Sequence, residues 1–145
     1  MQNEIDISKY ASYFHDGSLF NISKLKNEIT FQMSSAEVDF SEIEKGLTLS
    51  KDHRIRGILH LNNIQSVHLT GEYKLENLFD VFNLGTILDF EIKNKTIELG
   101  VLWENYPPKL HTNEFTTIVI QADRVWWENI PDLKPPLECF GVEGS

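Results

Sequence analysis

The residues with the clearest chemical potential are the neighbouring pair His15-Asp16, which lies in the segment Tyr13-Phe14-His15-Asp16-Gly17-Ser18-Leu19. Metal-dependent phosphohydrolases use an adjacent His-Asp pair, but they also need further histidines and aspartates spaced on surrounding helices. This sequence has no such pattern. The alternative is a turn, because Asp can bond its own backbone and Gly17 accepts a positive φ. The sequence favours the turn, with His15 packing or bonding locally.

The remaining histidines and the single cysteine do not form a metal or nucleophile motif. Zinc needs three or four nitrogen or sulfur ligands that converge at about 2 Å. The other four histidines show no close pairing: His53, His60, His68 and His111. Cys139 has no neighbouring His, and no phosphate loop or nucleophile elbow is present. We therefore expect no metal and no cofactor. The sequence leans against an enzyme, although distant carboxylates can still meet in a fold.

The chain is acidic, with a formal charge of −9 at pH 7 and scattered basic residues. Nucleic-acid binding needs clustered Lys and Arg, and anionic membranes repel acidic chains, so we expect neither partner. One segment concentrates four carboxylates: Glu37, Asp39, Glu42 and Glu44. It lacks the Asp/Asn-rich loop and the glycine of a calcium motif. A solvated acidic edge is the simplest interpretation of this acidic patch, and a basic protein partner is the next.

The pair Trp126-Trp127 is the most promising candidate for a contact with a partner. Successive side chains on a strand point to opposite faces, so one core layer holds only one of the two rings. Trp is also enriched at interface hot spots. The hypothesis is that one ring stays partly exposed and joins Trp103 or Tyr106 in a surface patch, which Glu104 and Glu128 flank. The alternative is that residues such as Pro131 to Pro136 cover the second ring.

The element that the sequence predicts best is a β-hairpin from Thr86 to Trp103. Apolar and polar residues alternate on both sides of Asn94-Lys95, which suits a two-residue turn. This register gives four pairs: Ile92 with Ile97, Phe90 with Leu99, Leu88 with Val101, and Thr86 with Trp103. A slip of one residue would turn the whole apolar set toward water. We therefore place the central pair, Phe90 and Leu99, in the core.

Weaker patterns predict the other elements. Helical turns are expected over Ser8–Phe14, and an amphipathic helix within Tyr73–Leu84 that ends at Gly85. Two more hairpins are expected: one at Lys26-Asn27, with Ile22 facing Phe31 and Phe20 facing Met33, and one at Asn62-Asn63, with Ile58 facing Val67. Ala36 to Asp52 reads as a polar connection with one helical turn and a capping box, Ser41-x-x-Glu44. Phe115 to Trp127 is a long strand with a bulge or bend near Asp123.

Together these elements predict a single β-rich domain over residues 1–145, with 131–145 a loop-like tail. The fold class is mainly β, with about seven or eight mostly antiparallel strands and one or two short helices. A barrel and a two-layer sandwich both satisfy the pattern. The lone cysteine, the absence of a basic leader and the lack of an apolar run of about 20 residues indicate a soluble, cytoplasmic protein.

The segment Tyr13–Leu19, which leads into a hairpin, resembles a pattern in small uncharacterised bacterial proteins that start with an aromatic-His-Asp-small segment. Some of these look like immunity proteins of polymorphic toxin systems, which are single-domain inhibitors encoded beside a toxin. The resemblance covers these seven residues and the acidic, β-rich character, and it transfers no binding residue. It implies a non-catalytic binding protein and, more narrowly, an inhibitor of a basic toxin. The alternative is a small-ligand-binding β-barrel or an enzyme of unrecognised type, because closed barrels can hold a cavity. The sequence leaves the oligomeric state open.

Overall fold

The computed structural model describes residues 5–70, 74–75, 78, 84–104 and 115–134. An N-terminal 3₁₀ helix (Ile7–Phe14) precedes six strands: β1 (Ser18–Leu25), β2 (Glu28–Glu37), β3 (Arg54–Leu69), β4 (Gly85–Lys93), β5 (Thr96–Trp103) and β6 (Phe115–Asn129). A single 3₁₀ turn (Phe40–Glu42) lies between β2 and β3. All strand pairs are antiparallel. The prediction of a mainly β fold is confirmed.

The six strands bond in the order β1-β2-β3-β6-β5-β4, and β4 returns to β1, so the sheet closes on itself. The closing pair is short and joins only Ser18 to Thr86 and Leu19 to Gly85. Just beyond these residues both strands carry a bulge, at Phe20 in β1 and at Leu88 in β4. A bulge bends its strand and increases the local twist. The two bulges therefore lie where the sheet must curve most to close.

These bulges correct the predicted hairpin registers. Near the turns the predicted pairs are confirmed: Ile92 with Ile97, Phe90 with Leu99, and Ile22 with Phe31. Towards the open ends the pairs shift by one residue: Ile87 faces Val101, Gly85 faces Trp103, and Leu19 faces Met33. The predicted partners Leu88, Thr86 and Phe20 were wrong because each bulge adds one residue to its strand.

The predicted hairpin at Asn62-Asn63 is wrong, because β3 runs through this point as one strand of 16 residues. Asn63 takes a left-handed conformation with φ 58, which Asn tolerates and which bends the strand instead of reversing it. The adjacent part of β6 shifts its buried face at the exposed residues Asp123 and Arg124, as predicted. One long strand thus replaces two short ones, and the described residues form six strands rather than seven or eight.

The interior of the closed sheet is filled by apolar side chains. Eleven of them, contributed by β2, β3, β5 and β6, are 0% exposed: Ile29, Phe31, Met33, Ile55, Leu59, Leu61, Ile97, Leu99, Val101, Ile118 and Ile120. Phe14, at the end of the N-terminal helix, packs edge-on against Phe90 and Trp127, with ring centroids 5.2 and 5.7 Å apart. The predicted burial of Phe90 and Leu99 is confirmed.

The predicted helix within Tyr73–Leu84 falls mostly outside the described residues. Leu75 and Leu78, which are described, are both buried against the core. None of the described helices is long and apolar enough to cross a membrane.

Candidate binding surfaces

The His15-Asp16-Gly17 segment forms the predicted turn and fastens the N-terminal helix to β4. Asp16 has φ 71 and donates its N–H to the Ile87 carbonyl at 2.7 Å, while the Ile87 N–H donates to the Gly17 carbonyl at 2.9 Å. The Nδ1 atom of His15 lies 2.6 Å from the carbonyl oxygen of Leu88, so this nitrogen carries the proton and donates it. The histidine therefore bonds the bulge of β4, beside the place where the sheet closes.

Close packing explains why glycine follows the His-Asp pair; the predicted positive φ at Gly17 is wrong, because Asp16 has that conformation instead. A Cβ atom on Gly17 would lie 2.2 Å from the Ser34 carbonyl oxygen and 2.9 Å from that of Phe14. The side chains of His15 and Asp16 are 61% and 71% exposed, with Nε2 and the carboxylate 3.8 Å apart. In the described part of the chain, no group of three His, Cys, Asp or Glu residues is arranged to hold a metal ion. The geometry of this motif is that of a structural turn.

The tryptophans occupy different environments. Trp103 and Trp127 are 2% and 3% exposed, whereas Trp126 is half-buried. The Trp103 indole donates to Thr116 Oγ1 at 3.0 Å, near the start of β6 and far along that strand from Trp126. The bend at Asp123 turns Trp127 inward, a choice that the sequence left open. The structure therefore does not join Trp103 and Trp126 in one patch. Glu104 is exposed, and Tyr106 lies outside the described residues.

Trp126 belongs to a cluster on the outer face of β3 and β6 that also contains His60, Asn62, Arg124 and Glu128, here called the Trp126 cluster. His60 stacks on the indole with centroids 4.0 Å apart and planes at 8°. The indole N–H donates to Asn62 Oδ1 at 2.7 Å, and the Arg124 guanidinium lies 5.0 Å from the ring centroid. His60 Nε2 is 2.7 Å from Glu128 Oε1. Neighbours within the sheet thus cover part of this ring, and Pro135 and Pro136 of the predicted cover lie outside the described residues. Its contact with a partner stays a prediction.

The predicted acidic patch is a compact surface segment, residues 37–44, here called the acidic loop. All four predicted carboxylates are exposed: Glu37, Asp39, Glu42 and Glu44. Asp39 caps the 3₁₀ turn by accepting from the backbone N–H of Ser41 at 3.0 Å and from its hydroxyl at 2.8 Å. The backbone N–H of Ser41, followed by its hydroxyl, holds the pKa of Asp39 below its ordinary value. The helical turn is confirmed, but the predicted Ser41-Glu44 capping box is wrong because Asp39 is the cap.

Two tyrosines of the N-terminal helix anchor the acidic loop. Tyr13 donates its hydroxyl to Glu42 at 2.7 Å, and Tyr10 donates to Glu44 at 3.0 Å. Burial raises the pKa of Tyr10, and the hydrogen bond to Glu42 raises the pKa of Tyr13. The N–H of Val38 also donates to the His53 carbonyl at 2.8 Å. These bonds hold the loop to the N-terminal helix on one side and to His53, the residue before β3, on the other.

Phe40 projects from the acidic loop and is 68% exposed. Among the described residues, its aromatic neighbour is the ring of His53, with centroids 6.0 Å apart and a tilt of 39°. Sequence reasoning missed this residue, because a single Phe in a segment without periodicity gives no signal of burial or exposure. The available signal was an aromatic residue placed between Asp39 and Glu42.

A second acidic surface lies on another face of the N-terminal helix. A groove of about 660 Å³ is lined by residues of this helix and of β4 and β5, and the strand side of the groove carries Asp89, Glu91 and Glu98. Glu91 and Glu98 are directly paired across β4 and β5. None of these three carboxylates forms an ion pair with another described residue. Lys9 and Lys93 are the basic residues that line this acidic groove.

Comparisons of this chain with models of protein families, with curated proteins and with solved structures found no match. The acidic loop, the acidic groove and the Trp126 cluster are therefore interpreted from their own chemistry. The resemblance of residues 13–19 to immunity proteins remains a prediction.

Proposed function

We propose that this protein is a non-catalytic interaction domain that binds a basic protein through acidic surfaces on two faces of its N-terminal helix. The acidic loop contacts Tyr10 and Tyr13 of this helix, whereas Ser8, Ser12 and His15 line the acidic groove. A single basic partner that covers the helix would meet both surfaces. The finer assignment, an immunity-type inhibitor of a basic toxin, has its support in this charge distribution and in the His-Asp-Gly segment.

The pair Glu91-Glu98 is the observation that carries the proposal. Like charges directly opposite each other on two strands destabilise the sheet, by about 0.2–1 kcal/mol for a typical pair. Both carboxylates are exposed, and Asp89 adds a third negative charge beside them. A Lys or Arg side chain from a partner would remove this repulsion on binding. Local charge conflicts of this kind are typical of functional surfaces.

The net charge of −9 supports the same partner chemistry. A large charge of one sign accelerates encounter with an oppositely charged protein and rejects like-charged ones. The alternative of a small-ligand-binding barrel has less support, since the interior of the closed sheet is occupied by side chains such as Phe31 and Met33. The groove beside β4 is an open surface feature lined mainly by charged and polar groups.

The test is a pull-down from lysate of the native organism, with the product of the adjacent gene as the first candidate partner. The variant Glu91→Gln with Glu98→Gln removes the paired charges. The matched control, Glu28→Gln with Asp132→Asn, makes the same change in net charge at two exposed positions outside both acidic surfaces. We expect the wild type and the control to retain one basic protein, and the groove variant to lose it.

Salt provides the second arm of this test. The Debye length falls from about 10 Å at 0.1 M salt to about 3 Å at 1 M, so an electrostatic complex should dissociate in that interval. Retention of no basic protein would overturn the proposal. So would a complex that is insensitive both to salt and to the Glu91 and Glu98 substitutions.

A further inference from the structure

We propose that Phe40 is the apolar anchor of this interface and that it inserts into an apolar pocket of the partner whose rim carries Lys and Arg. This inference rests on the proposed function and deepens it by naming one contact residue and the chemistry that it meets. Phe40 has the most exposed aromatic ring among the described residues, at 68%. Burial of a phenyl ring is strongly favourable, so this ring has much to gain from a complementary pocket.

Hydrogen bonds hold the backbone turn that carries Phe40. A fixed turn of this kind is expected of a residue that binds a partner. Asp39 caps the turn on which the ring stands, and the hydrogen bond from Tyr13 to Glu42 fixes the end of that turn. A second bond, from Tyr10 to Glu44, holds the following residues. Because the loop is already ordered, little conformational entropy is lost when a partner contacts it.

The carboxylates around Phe40 define the rim of the expected partner pocket. Asp39 and Glu42 are exposed on this short loop, and Glu37 is exposed beside them at the end of β2, where it pairs with Arg54 of β3. Interfaces commonly place an aromatic anchor at a desolvated centre and charged groups at a wetter rim. A partner that buries the ring must approach these carboxylates, and only basic rim residues would make that approach favourable.

Leu25 supplies a matched comparison within the same chain. It is 72% exposed at the tip of the β1–β2 hairpin, but its neighbours in sequence are Lys24 and Lys26. Glu28 pairs with Leu25 across the hairpin, so these three charged neighbours leave the tip with a net positive charge, which disfavours a basic partner. The two exposed apolar side chains are therefore similar in exposure and opposite in the charge that surrounds them.

The probe for the test is the basic protein that the wild type retains at low salt and releases at high salt, purified after identification. Its affinity is measured for the wild type, Phe40→Ala, Phe40→Leu and Leu25→Ala. We expect Phe40→Ala to raise Kd at least about 30-fold, the hot-spot threshold of about 2 kcal/mol expressed as a ratio. Phe40→Leu should recover part of the loss, and Leu25→Ala should leave Kd within about threefold of the wild type because that tip lies outside the interface.

A benzophenone amino acid at position 40 or 25 gives an independent readout that does not depend on the stability of the alanine variant. Position 40 should crosslink to a segment of the purified partner in which apolar residues are flanked by Lys or Arg, and position 25 should not. The inference is overturned if Phe40→Ala binds like the wild type, or if position 25 crosslinks and position 40 does not. In that case loss of binding by the Glu91 and Glu98 variant would still uphold the proposed function. If the wild type retains no basic protein, both proposals fail.

Discussion

Glu91 of β4 and Glu98 of β5 face each other as a direct cross-strand pair, with both carboxylates exposed to solvent. The pair lies between two well-packed apolar pairs of the same hairpin, Ile92 with Ile97 and Phe90 with Leu99. The buried face of this hairpin is therefore optimised for folding while its outer face is not. A surface that keeps such repulsion in the free protein is well suited to accept positive charge from outside.

The first prediction is that Glu91→Gln stabilises the free protein. Removal of one carboxylate relieves the repulsion, and we expect the free energy of unfolding to rise by about 0.2–1 kcal/mol at low salt. The gain should shrink at high salt, because exposed charges are then screened. Urea denaturation at two salt concentrations measures it. Glu28→Gln, at the exposed start of β2, is the control and should change little. A less stable Glu91→Gln protein would show that the carboxylate has a stabilising contact.

The alternation of apolar and polar residues was sufficient to predict the strand pairing next to each hairpin turn. Ile22, Phe31, Phe90 and Leu99 pair as predicted, because alternation and turn residues act over a few positions. The bulges at Phe20 and Leu88 were not predictable. They follow from the closure of the sheet, which pairs strands distant in sequence.

Asn residues were ambiguous because the same left-handed conformation serves a turn or a bend. Asn94, with φ 49, turns a hairpin, whereas Asn63, with φ 58, bends a continuous strand. Asn63 is held there by long-range bonds: it accepts from Asn27 at 2.8 Å and donates to the Asp123 carboxylate.

In the candidate site, the composition of the sequence was enough to predict the acidic loop. It was not enough to predict the exposure of Phe40, since exposure depends on the tertiary path of the chain.

The second prediction concerns Gly17, where any Cβ would meet the backbone. Gly17→Ala would place that atom 2.2 Å from the Ser34 carbonyl oxygen, which a strand cannot easily move. We expect the free energy of unfolding to fall by several kcal/mol, or the protein not to fold, because the added methyl group overpacks the site and disrupts the closure of the sheet between β1 and β4. Gly100→Ala is the matched control, because its Cβ would approach only side-chain atoms of Asp89 and Phe115 at 3.3 Å or more. Similar melting temperatures for the two variants would contradict the assigned role of Gly17.

The third prediction uses the pKa of Tyr13, which the hydrogen bond to Glu42 raises above its ordinary value of about 10. A raised folded-state pKa means that the contribution to stability is complete below pH about 10 and is lost as pH rises through the folded pKa. Above the folded-state pKa, the tyrosinate can no longer donate and repels Glu42, so the acidic loop should lose this one of its anchors. Tyrosinate absorbance against pH follows the ionisation, and Tyr13→Phe should remove one late-ionising group.

Glu42→Gln separates the charge of Glu42 from its hydrogen bond. The amide oxygen still accepts from Tyr13, but without the negative charge the pKa of the tyrosine should move back toward its ordinary value. An unchanged number of late-ionising tyrosines in Tyr13→Phe would show that this hydroxyl is not bound as described.

The last prediction asks whether the Trp126 cluster supports the fold or contacts a partner. Besides the contact with the Arg124 guanidinium, the indole loses two contacts in Trp126→Ala: the stack on His60, worth about 0.5–1.5 kcal/mol, and the hydrogen bond to Asn62, worth about 0.5–1.5 kcal/mol. We therefore expect roughly 1–3 kcal/mol of lost stability before any cavity effect. A double-mutant cycle with His60→Ala, measured by urea denaturation, should give a coupling energy of about 0.5–1.5 kcal/mol.

Because the cluster lies on β3 and β6, outside both acidic surfaces, Trp126→Ala should leave the affinity for the basic partner nearly unchanged. An unaltered melting temperature together with weakened binding would instead make Trp126 a contact residue and would extend the interface to this face of the sheet.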